Sequence, residues 1–188
     1  MRTSLLLIVL LMVCIAACSR PTDAPETTSP YVGEEARAIK ALSEQEREAY
    51  LSGEGLGLAK AAELNHYPGP THVLALSEEL GLTDDQYEHV QRVFEEMQAE
   101  AIALGTQIVA QEGLLDAVFA EGEAEAGAVR SRVREIAELQ GRLRFVHLNA
   151  HLAMKEMLTD DQVRHYDQLR GYDASAPPGQ HLHHEMNH

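Results

Sequence analysis

The 188-residue sequence predicts an all-α fold, and three observations support this prediction. The pentapeptide LTDDQ occurs twice, at residues 82–86 and 158–162, in a form that is typical of helix starts. Apolar residues recur with heptad spacing along the chain between the two copies. No stretch shows the period-two alternation, bounded by turn residues, that is typical of β-strands.

Each LTDDQ copy has the pattern of a capping box. The threonine hydroxyl can accept a hydrogen bond from the N3 backbone N–H, and the N3 glutamine can bond back to the threonine N–H. The preceding leucine is placed to pack against the N4 residue. The six capping residues are Leu82, Thr83, Gln86, Leu158, Thr159 and Gln162. We interpret the repeat as a helix-starting device rather than a ligand site.

A weaker copy of the same motif, at residues 42–46, predicts a helix that begins after Ser43 and ends near residue 51. The string GEGLG at residues 53–57 should break that helix. This string resembles a phosphate-binding loop only superficially, because no strand precedes it and no βαβ unit surrounds it. The sequence therefore favours a simple helix break at this point.

Two further short helices are predicted before the first LTDDQ copy. One covers residues 58–64 and ends before the YPGP turn at residues 67–70. The other covers residues 72–80, with Thr71 as its expected cap and Gly81 as its end.

Two long helices and a final short one should follow. The first long helix starts at Thr83 and has an apolar seam formed by Val90, Phe94, Met97, Ala101, Leu104, Ile108, Gln111, Leu115 and Val118. After a break near residues 121–125, a second seam is formed by Val129, Val133, Ile136, Gln140, Leu143, His147, Ala150, Met154 and Met157. These seams predict an antiparallel helical hairpin. A last helix should begin at Asp160 and end before Gly171.

The amino terminus has the pattern of an export signal. Residues 1–17 contain one basic residue followed by an apolar run, which is too short to span a bilayer as a helix of roughly 20 residues. The end of this run, IAAC, resembles a bacterial lipobox with Cys18 as the lipidated residue. With Ser19 rather than aspartate after the cysteine, this resemblance implies the outer membrane rather than the inner one. We therefore expect a lipid-anchored periplasmic protein.

The remaining chain divides by composition into a tether, a domain and a tail. Residues 18–33 are rich in Pro, Ser, Thr and Ala and should form a flexible tether. Residues 34–173 suffice for one helical domain with its own core. Residues 174–188 should be a disordered, histidine-rich tail that either traps metal with low specificity or is simply solvated. The domain contains no cysteine, which excludes thiol chemistry and thiolate ligands there.

The formal net charge of −15 makes nucleic acid an unexpected partner, because phosphate binding needs clustered lysine and arginine. An acidic surface suits solubility, the attraction of cations or contact with basic segments of other proteins. The sequence also shows no nucleophile, base and oxyanion set at a spacing suited to catalysis. An enzyme is therefore not expected.

Histidines on the second long helix predict a metal site. His147 and His151 are four residues apart, so both project from one helix face. Pairing the two seams places Glu100 opposite His147 and Glu96 opposite His151, and His72 could add a further ligand. Such nitrogen and oxygen ligands suit divalent Zn, Cu, Ni or Co, with no organic cofactor. The alternative is a structural network in which both histidines hydrogen-bond glutamates or backbone.

The two LTxxQ motifs behind an export signal resemble those of the Spy/CpxP family of bacterial envelope-stress proteins, over roughly residues 43–172. Three further segments add to the likeness: YPGPTHVLAL at residues 67–76, LRFVHLNAHL at 143–152 and YDQLRGY at 166–172. They are most similar to the periplasmic heavy-metal sensor and metal-resistance branch. The resemblance implies a hairpin of long helices with short flanking helices, often dimerised into a curved cradle that holds unfolding proteins.

Two functions are consistent with this resemblance. The first is a non-enzymatic, membrane-tethered stress protein that senses or sequesters heavy metal ions through helix-borne His and Glu. The alternative is an ATP-independent holdase chaperone that binds unfolded envelope proteins without a dedicated metal site. In the alternative, the binding surface would include Phe94, Met97, Met154 and Met157. This chain departs from the strongly basic cradle of the chaperone members because it is acidic.

Overall fold

The computed structural model describes residues 28–172, which form six helices and no strand. The helices are α1 (Glu44–Ser52), α2 (Lys60–Glu63), α3 (Pro70–Ala75), α4 (Asp84–Ala120), α5 (Ala126–Met157) and α6 (Asp160–Arg170). The prediction of an all-α fold is confirmed for this part of the chain. No helix in it is both long and apolar enough to cross a membrane.

Clustering of contacts divides the chain between Gly33 and Glu34, and the six helices all belong to the unit that starts at Glu34. The expected signal peptide, the lipidated Cys18 and the histidine-rich tail lie outside the described residues.

Three of the six helices begin with a complete capping box. In α4, the Gln86 backbone N–H donates to Thr83 Oγ1 at 3.2 Å, and the Thr83 N–H donates to Gln86 Oε1 at 3.1 Å. The same reciprocal pair joins Thr159 and Gln162 at the start of α6. Ser43 and Glu46 form the third box, at the start of α1. Each box satisfies backbone N–H groups that the first helical turn leaves unpaired.

The two N3 glutamines of these boxes also hydrogen-bond each other. Gln86 Nε2 donates to Gln162 Oε1 at 3.0 Å, and Gln162 Nε2 donates to Gln86 Oε1 at 3.0 Å. Gln162 Nε2 lies in addition 3.3 Å from the Leu80 carbonyl oxygen. This arrangement needs an amide on both helices, because a carboxylate has no N–H to donate. The repeated motif therefore joins the starts of α4 and α6 in addition to capping them.

The core lies in two clusters along α4 and α5, which pack side by side. The first contains the buried residues Val73, Leu80, Val90, Met154, Leu158, Val163 and Tyr166. The second contains Ala101, Leu104, Ile108, Leu139, Leu143 and Val146. The first cluster therefore anchors α3 and α6 to the paired long helices.

Two positions of the predicted α5 seam are wrong. Val133 is 50% exposed and Gln140 is also exposed, whereas Leu139 and Val146 are buried in their place. A straight α-helix has 3.6 residues per turn, so a strict seven-residue repeat drifts off the buried face. Leu158 lies with Val163 in the first core cluster, as expected for a leucine before the cap, whereas Tyr87, the N4 residue of α4, is 44% exposed.

The start of α3 also differs from the prediction. Thr71 lies within the helix and is not its cap, because α3 begins at Pro70 with Gly69 as the N-cap residue. Proline suits the first helical position, where a missing N–H costs nothing. The helix ends at Ala75 rather than near residue 80, and turns lead from there to Gly81.

Of the four glycines inside α4 and α5, Gly105 alone lies at a very close helix contact. A Cβ added to Gly105 would lie 2.0 Å from the Tyr50 carbonyl oxygen, so the backbone of α1 rests directly on α4. A Cβ at Gly113 would make only ordinary contact with Ile39, and one at Gly141 would meet nothing within 4 Å.

Candidate metal-binding cleft

A cleft of about 560 Å³ lies beside α5 and gathers four helix-borne His and Glu side chains that can donate to a metal, and Glu54 from the loop after α1 also lines it. Two of the four, His147 and His151, come from α5, His72 comes from α3 and Glu63 comes from α2. The glycine-rich loop after α1 and the turn before α3 form part of its wall. Apolar lining residues include Leu56, Leu64, Pro70, Phe94 and Met97.

His151 is held in one tautomer by the turn before α3. Its Nδ1 lies 2.7 Å from the Tyr67 carbonyl oxygen, which can only accept, so Nδ1 carries the hydrogen. In the neutral ring, Nε2 then keeps its lone pair. A Cβ added to Gly69 would lie 2.9 Å from His151 Cε1 and 3.1 Å from this Nε2, so a glycine here lets the imidazole pack closely against the turn. An imidazole fixed through one nitrogen by a backbone carbonyl is a common arrangement for a metal ligand.

His147 is 4% exposed, and its Nε2 is buried without a hydrogen-bond partner in residues 28–172. A buried polar atom of this kind is costly unless a ligand or water satisfies it. Burial lowers the pKa of His147, and the nearby His151 lowers it further. The ring is therefore held in its neutral form, which is the form that binds metals.

His72 of α3 is the third histidine that lines the cleft. Its pKa is lowered, first by burial and then by the positive charge of Arg170, while Glu63 acts in the opposite direction. All the effects except that of Glu63 favour a neutral imidazole. Arg170 itself lines the cleft.

Glu63 faces His151 and also binds residues of α6 and Tyr172. Its side chain is largely buried, and Oε2 lies 3.7 Å from His151 Nδ1. Its other oxygen, Oε1, accepts hydrogen bonds from the hydroxyls of Tyr166 and Tyr172 at 2.7 and 3.1 Å. Arg170 Nε lies 3.4 Å from the same oxygen as an ion pair, without hydrogen-bond geometry.

The predicted partners Glu96 and Glu100 are not in this cleft. Both line a separate groove of about 330 Å³, together with Phe145, Asn149 and Ala153 of α5. The prediction that they face His147 and His151 is therefore wrong. The reason is rotational: each residue turns about 100° around the helix, so side chains at matching heights can project to opposite sides of the pair.

The structure thus brings together His72, His147 and His151 around one cleft and replaces the predicted glutamates with Glu63. Within residues 28–172, no three His, Asp or Glu side chains converge closely enough to hold a metal ion together. The orphaned Nε2 of His147 and the free lone pair of His151 nevertheless fit a metal's requirement for neutral imidazole donors. A third donor would have to approach from Glu63 or His72.

Sequence reasoning missed Glu63 because it lies on a one-turn helix with no periodic pattern. The sequence signal for this part of the cleft was the YPGP turn. Its Tyr67 carbonyl oxygen positions His151, and its Gly69 has no side chain to block the imidazole.

The comparisons with known proteins add no family: no family model matches the chain, and no curated protein or solved structure is significantly similar to it.

Proposed function

We propose that this chain is a non-enzymatic, membrane-tethered periplasmic stress protein that senses or sequesters a divalent transition metal in the cleft beside α5. The α4 and α5 hairpin would be the scaffold of the site, as the resemblance to the LTxxQ proteins implies. The observation that supports this proposal most directly is the pair of buried histidines, His147 and His151, with lone pairs that the described residues leave unused.

The donor set indicates the class of metal. Two imidazoles with a carboxylate or a third imidazole suit Zn, Cu, Ni or Co, whereas Ca and Mg prefer oxygen ligands alone. The acidic surface would raise the local concentration of cations near the cleft. Binding would also satisfy His147 Nε2, which the structural-network alternative leaves without a partner.

Calorimetric titration tests the proposal. The background is a chain whose four tail histidines, His181, His183, His184 and His188, are replaced by serine, so that the tail does not mask the cleft. We expect this chain to bind Zn, Ni, Co or Cu(II), and His147→Ala with His151→Ala to remove one equivalent of metal.

The matched control is His89→Ala with His165→Ala, which removes two histidines outside the cleft. This variant should titrate like the background chain. Equal titrations of all three proteins with every metal would reject the metal function.

One observation favours a second function, that of a holdase chaperone. Phe145 is 63% exposed and Leu152 is 51% exposed on α5, and Phe145 lines the groove that contains Glu96 and Glu100. Exposed apolar side chains beside carboxylates suit a basic, apolar segment of an unfolded protein. Of the residues expected from the sequence, Met154 is fully buried and Phe94 lines the metal cleft, whereas Met97 lines both that cleft and this groove.

The chaperone function predicts that the chain suppresses aggregation of a reduced client protein. Phe145→Ser with Leu152→Ser should weaken that suppression, while Val133→Ser, an equally exposed site elsewhere on α5, should not. Light scattering by the client measures the effect. No suppression by the unmodified chain would eliminate this alternative.

A further inference from the structure

Glu63 connects the cleft to the carboxyl-terminal end of the fold. Its Oε1 receives the hydroxyls of Tyr166 and Tyr172 and lies beside Arg170, so all three partners come from α6 and the two residues after it. Tyr166 is fully buried, and burial followed by the Glu63 carboxylate raises its pKa well above the usual value. The hydroxyl therefore stays protonated and donates to Glu63.

The second oxygen of Glu63 lies beside His151. Oε2 makes no hydrogen bond within residues 28–172 and lies 3.7 Å from His151 Nδ1. The position of a Cβ on Gly69 would be 3.5 Å from this oxygen and 3.1 Å from His151 Nε2. The same small space is therefore bordered by an unshared carboxylate oxygen and by the free imidazole nitrogen.

The two oxygens of Glu63 therefore face different partners, and both oxygens can bind at the same time. The helix that bears Glu63, α2, has four residues, and none of them is fully buried. Its carboxylate is thus positioned chiefly by the tyrosine hydroxyls and Arg170. If α6 moved away, Glu63 would lose these partners and become free to turn into solvent.

We propose that Glu63 couples cation occupancy of the cleft to the docking of α6. This inference rests on the proposed metal function and concerns its regulation. A docked α6 holds Oε2 towards His151 and so raises the affinity of the cleft for a divalent cation. Binding equilibria are reciprocal, so a bound cation must stabilise the docked α6 by the same factor. Metal occupancy is thereby transmitted to the carboxyl-terminal helix.

Hydrogen exchange on the full chain, with its tail histidines replaced by serine and with and without Zn²⁺, tests the coupling. We expect Zn²⁺ to slow exchange of the α6 amides. Glu63→Gln keeps an oxygen that accepts from the tyrosines, so α6 should stay docked. However, the amide removes the negative charge, so Zn²⁺ should bind more weakly and leave α6 exchange unchanged at equal occupancy.

The tyrosines provide the reciprocal measurement. Tyr166→Phe with Tyr172→Phe should lower Zn²⁺ affinity about tenfold, which is the size typical of losing partners that orient a ligand. Tyr172→Phe alone, at a half-buried position, should lower it in the same direction if the double variant does not fold. Tyr87→Phe, on the exposed face of α4, is the control and should bind Zn²⁺ like the parent chain.

The outcomes separate the two proposals. If Zn²⁺ binds through His147 and His151 but α6 exchange stays the same, the coupling is wrong and the metal function stands. The coupling is also wrong if Zn²⁺ slows α6 exchange equally in Glu63→Gln, or if the tyrosine variants keep the parent affinity. Absence of Zn²⁺ binding by the parent chain overturns the metal function and the coupling with it.

Discussion

At the scale of single residues, Gly105 and Gly141 occupy similar positions inside long helices and have opposite surroundings. A Cβ on Gly105 would be driven into the backbone of α1, whereas one on Gly141 would meet nothing within 4 Å. Glycine costs a helix about 1 kcal/mol relative to alanine, so a glycine that persists at a crowded position has a packing role. Gly105 thus sets how closely α1 approaches α4.

Gly105→Ala should lower the free energy of unfolding by about 1–3 kcal/mol, because the added methyl group must displace the backbone at Tyr50 and overpacking outweighs the gain in helix propensity. Urea denaturation measures this change. Gly141→Ala is the matched control and should raise the free energy of unfolding by up to about 1 kcal/mol. An unchanged or increased stability of Gly105→Ala would show that α1 does not rest on this glycine.

His147 gives a pH dependence whose sign follows from its burial. Burial lowers its folded-state pKa below the ordinary value of 6.5, so the unfolded chain binds the proton more strongly. Stability should therefore rise with pH through the interval from the folded pKa to about 6.5 and be lost as the pH falls through it.

His147→Gln should flatten this part of the stability profile, since the substituted side chain does not titrate. Denaturation from pH 5 to pH 8 in the presence of a chelator measures the effect without bound metal. His165→Gln, at an exposed position on α6, should leave the slope as it is. Identical slopes for His147→Gln and the parent chain would show that His147 does not cause this pH dependence.

At the scale of elements, the paired caps explain why glutamine occurs in both LTDDQ motifs. Each amide accepts from its own threonine and exchanges hydrogen bonds with the other amide. In α1, where Glu46 takes the same position, the carboxylate hydrogen-bonds only Ser43 within the described chain. The choice between Gln and Glu at N3 thus reflects whether two helix starts meet.

Gln162→Glu should preserve the capping box of α6 and weaken the link to α4, because the carboxylate can still accept from Gln86 Nε2 but no longer donates. The carboxylate has no N–H for Gln86 or for the Leu80 carbonyl, and we expect a loss of about 1–3 kcal/mol from the unpaired groups. Thermal and urea unfolding measure it. Glu46→Gln, the converse exchange in the unpaired box of α1, should change stability by only a few tenths of a kcal/mol. Equal effects at both positions would mean that the amide pair contributes nothing.

At the scale of the whole molecule, the proposed anchoring at Cys18 has a direct chemical test. Mass spectrometry of the protein from the membrane fraction should find a mature chain that begins at Cys18 and carries acyl groups. Cys18→Ser should release the chain from the membrane fraction, because several acyl chains at about 0.8 kcal/mol per buried methylene provide the anchoring. A soluble, unmodified chain that begins at another residue would refute the lipoprotein proposal.

Local features were the most predictable. The start residues of α1, α4 and α6 follow from motifs that act within one helical turn, and the break between α4 and α5 lies where the heptad pattern stops. The Thr71 cap failed for a local reason as well, because proline and glycine beside it offered a better helix start. The burial of His147 also followed from its position on the seam.

The composition of the cleft was decided by the tertiary structure. Sequence spacing places His147 and His151 on one face, but a spacing contains no information on how far α4 is rotated about its axis, and that rotation separates Glu96 and Glu100 from them. Glu63 comes from a short helix positioned by contacts with residues about 100 positions later in the chain. Helix starts depend on hydrogen bonds between near neighbours, whereas the cleft and the Gln86–Gln162 pair depend on how whole helices pack, which no local pattern specifies.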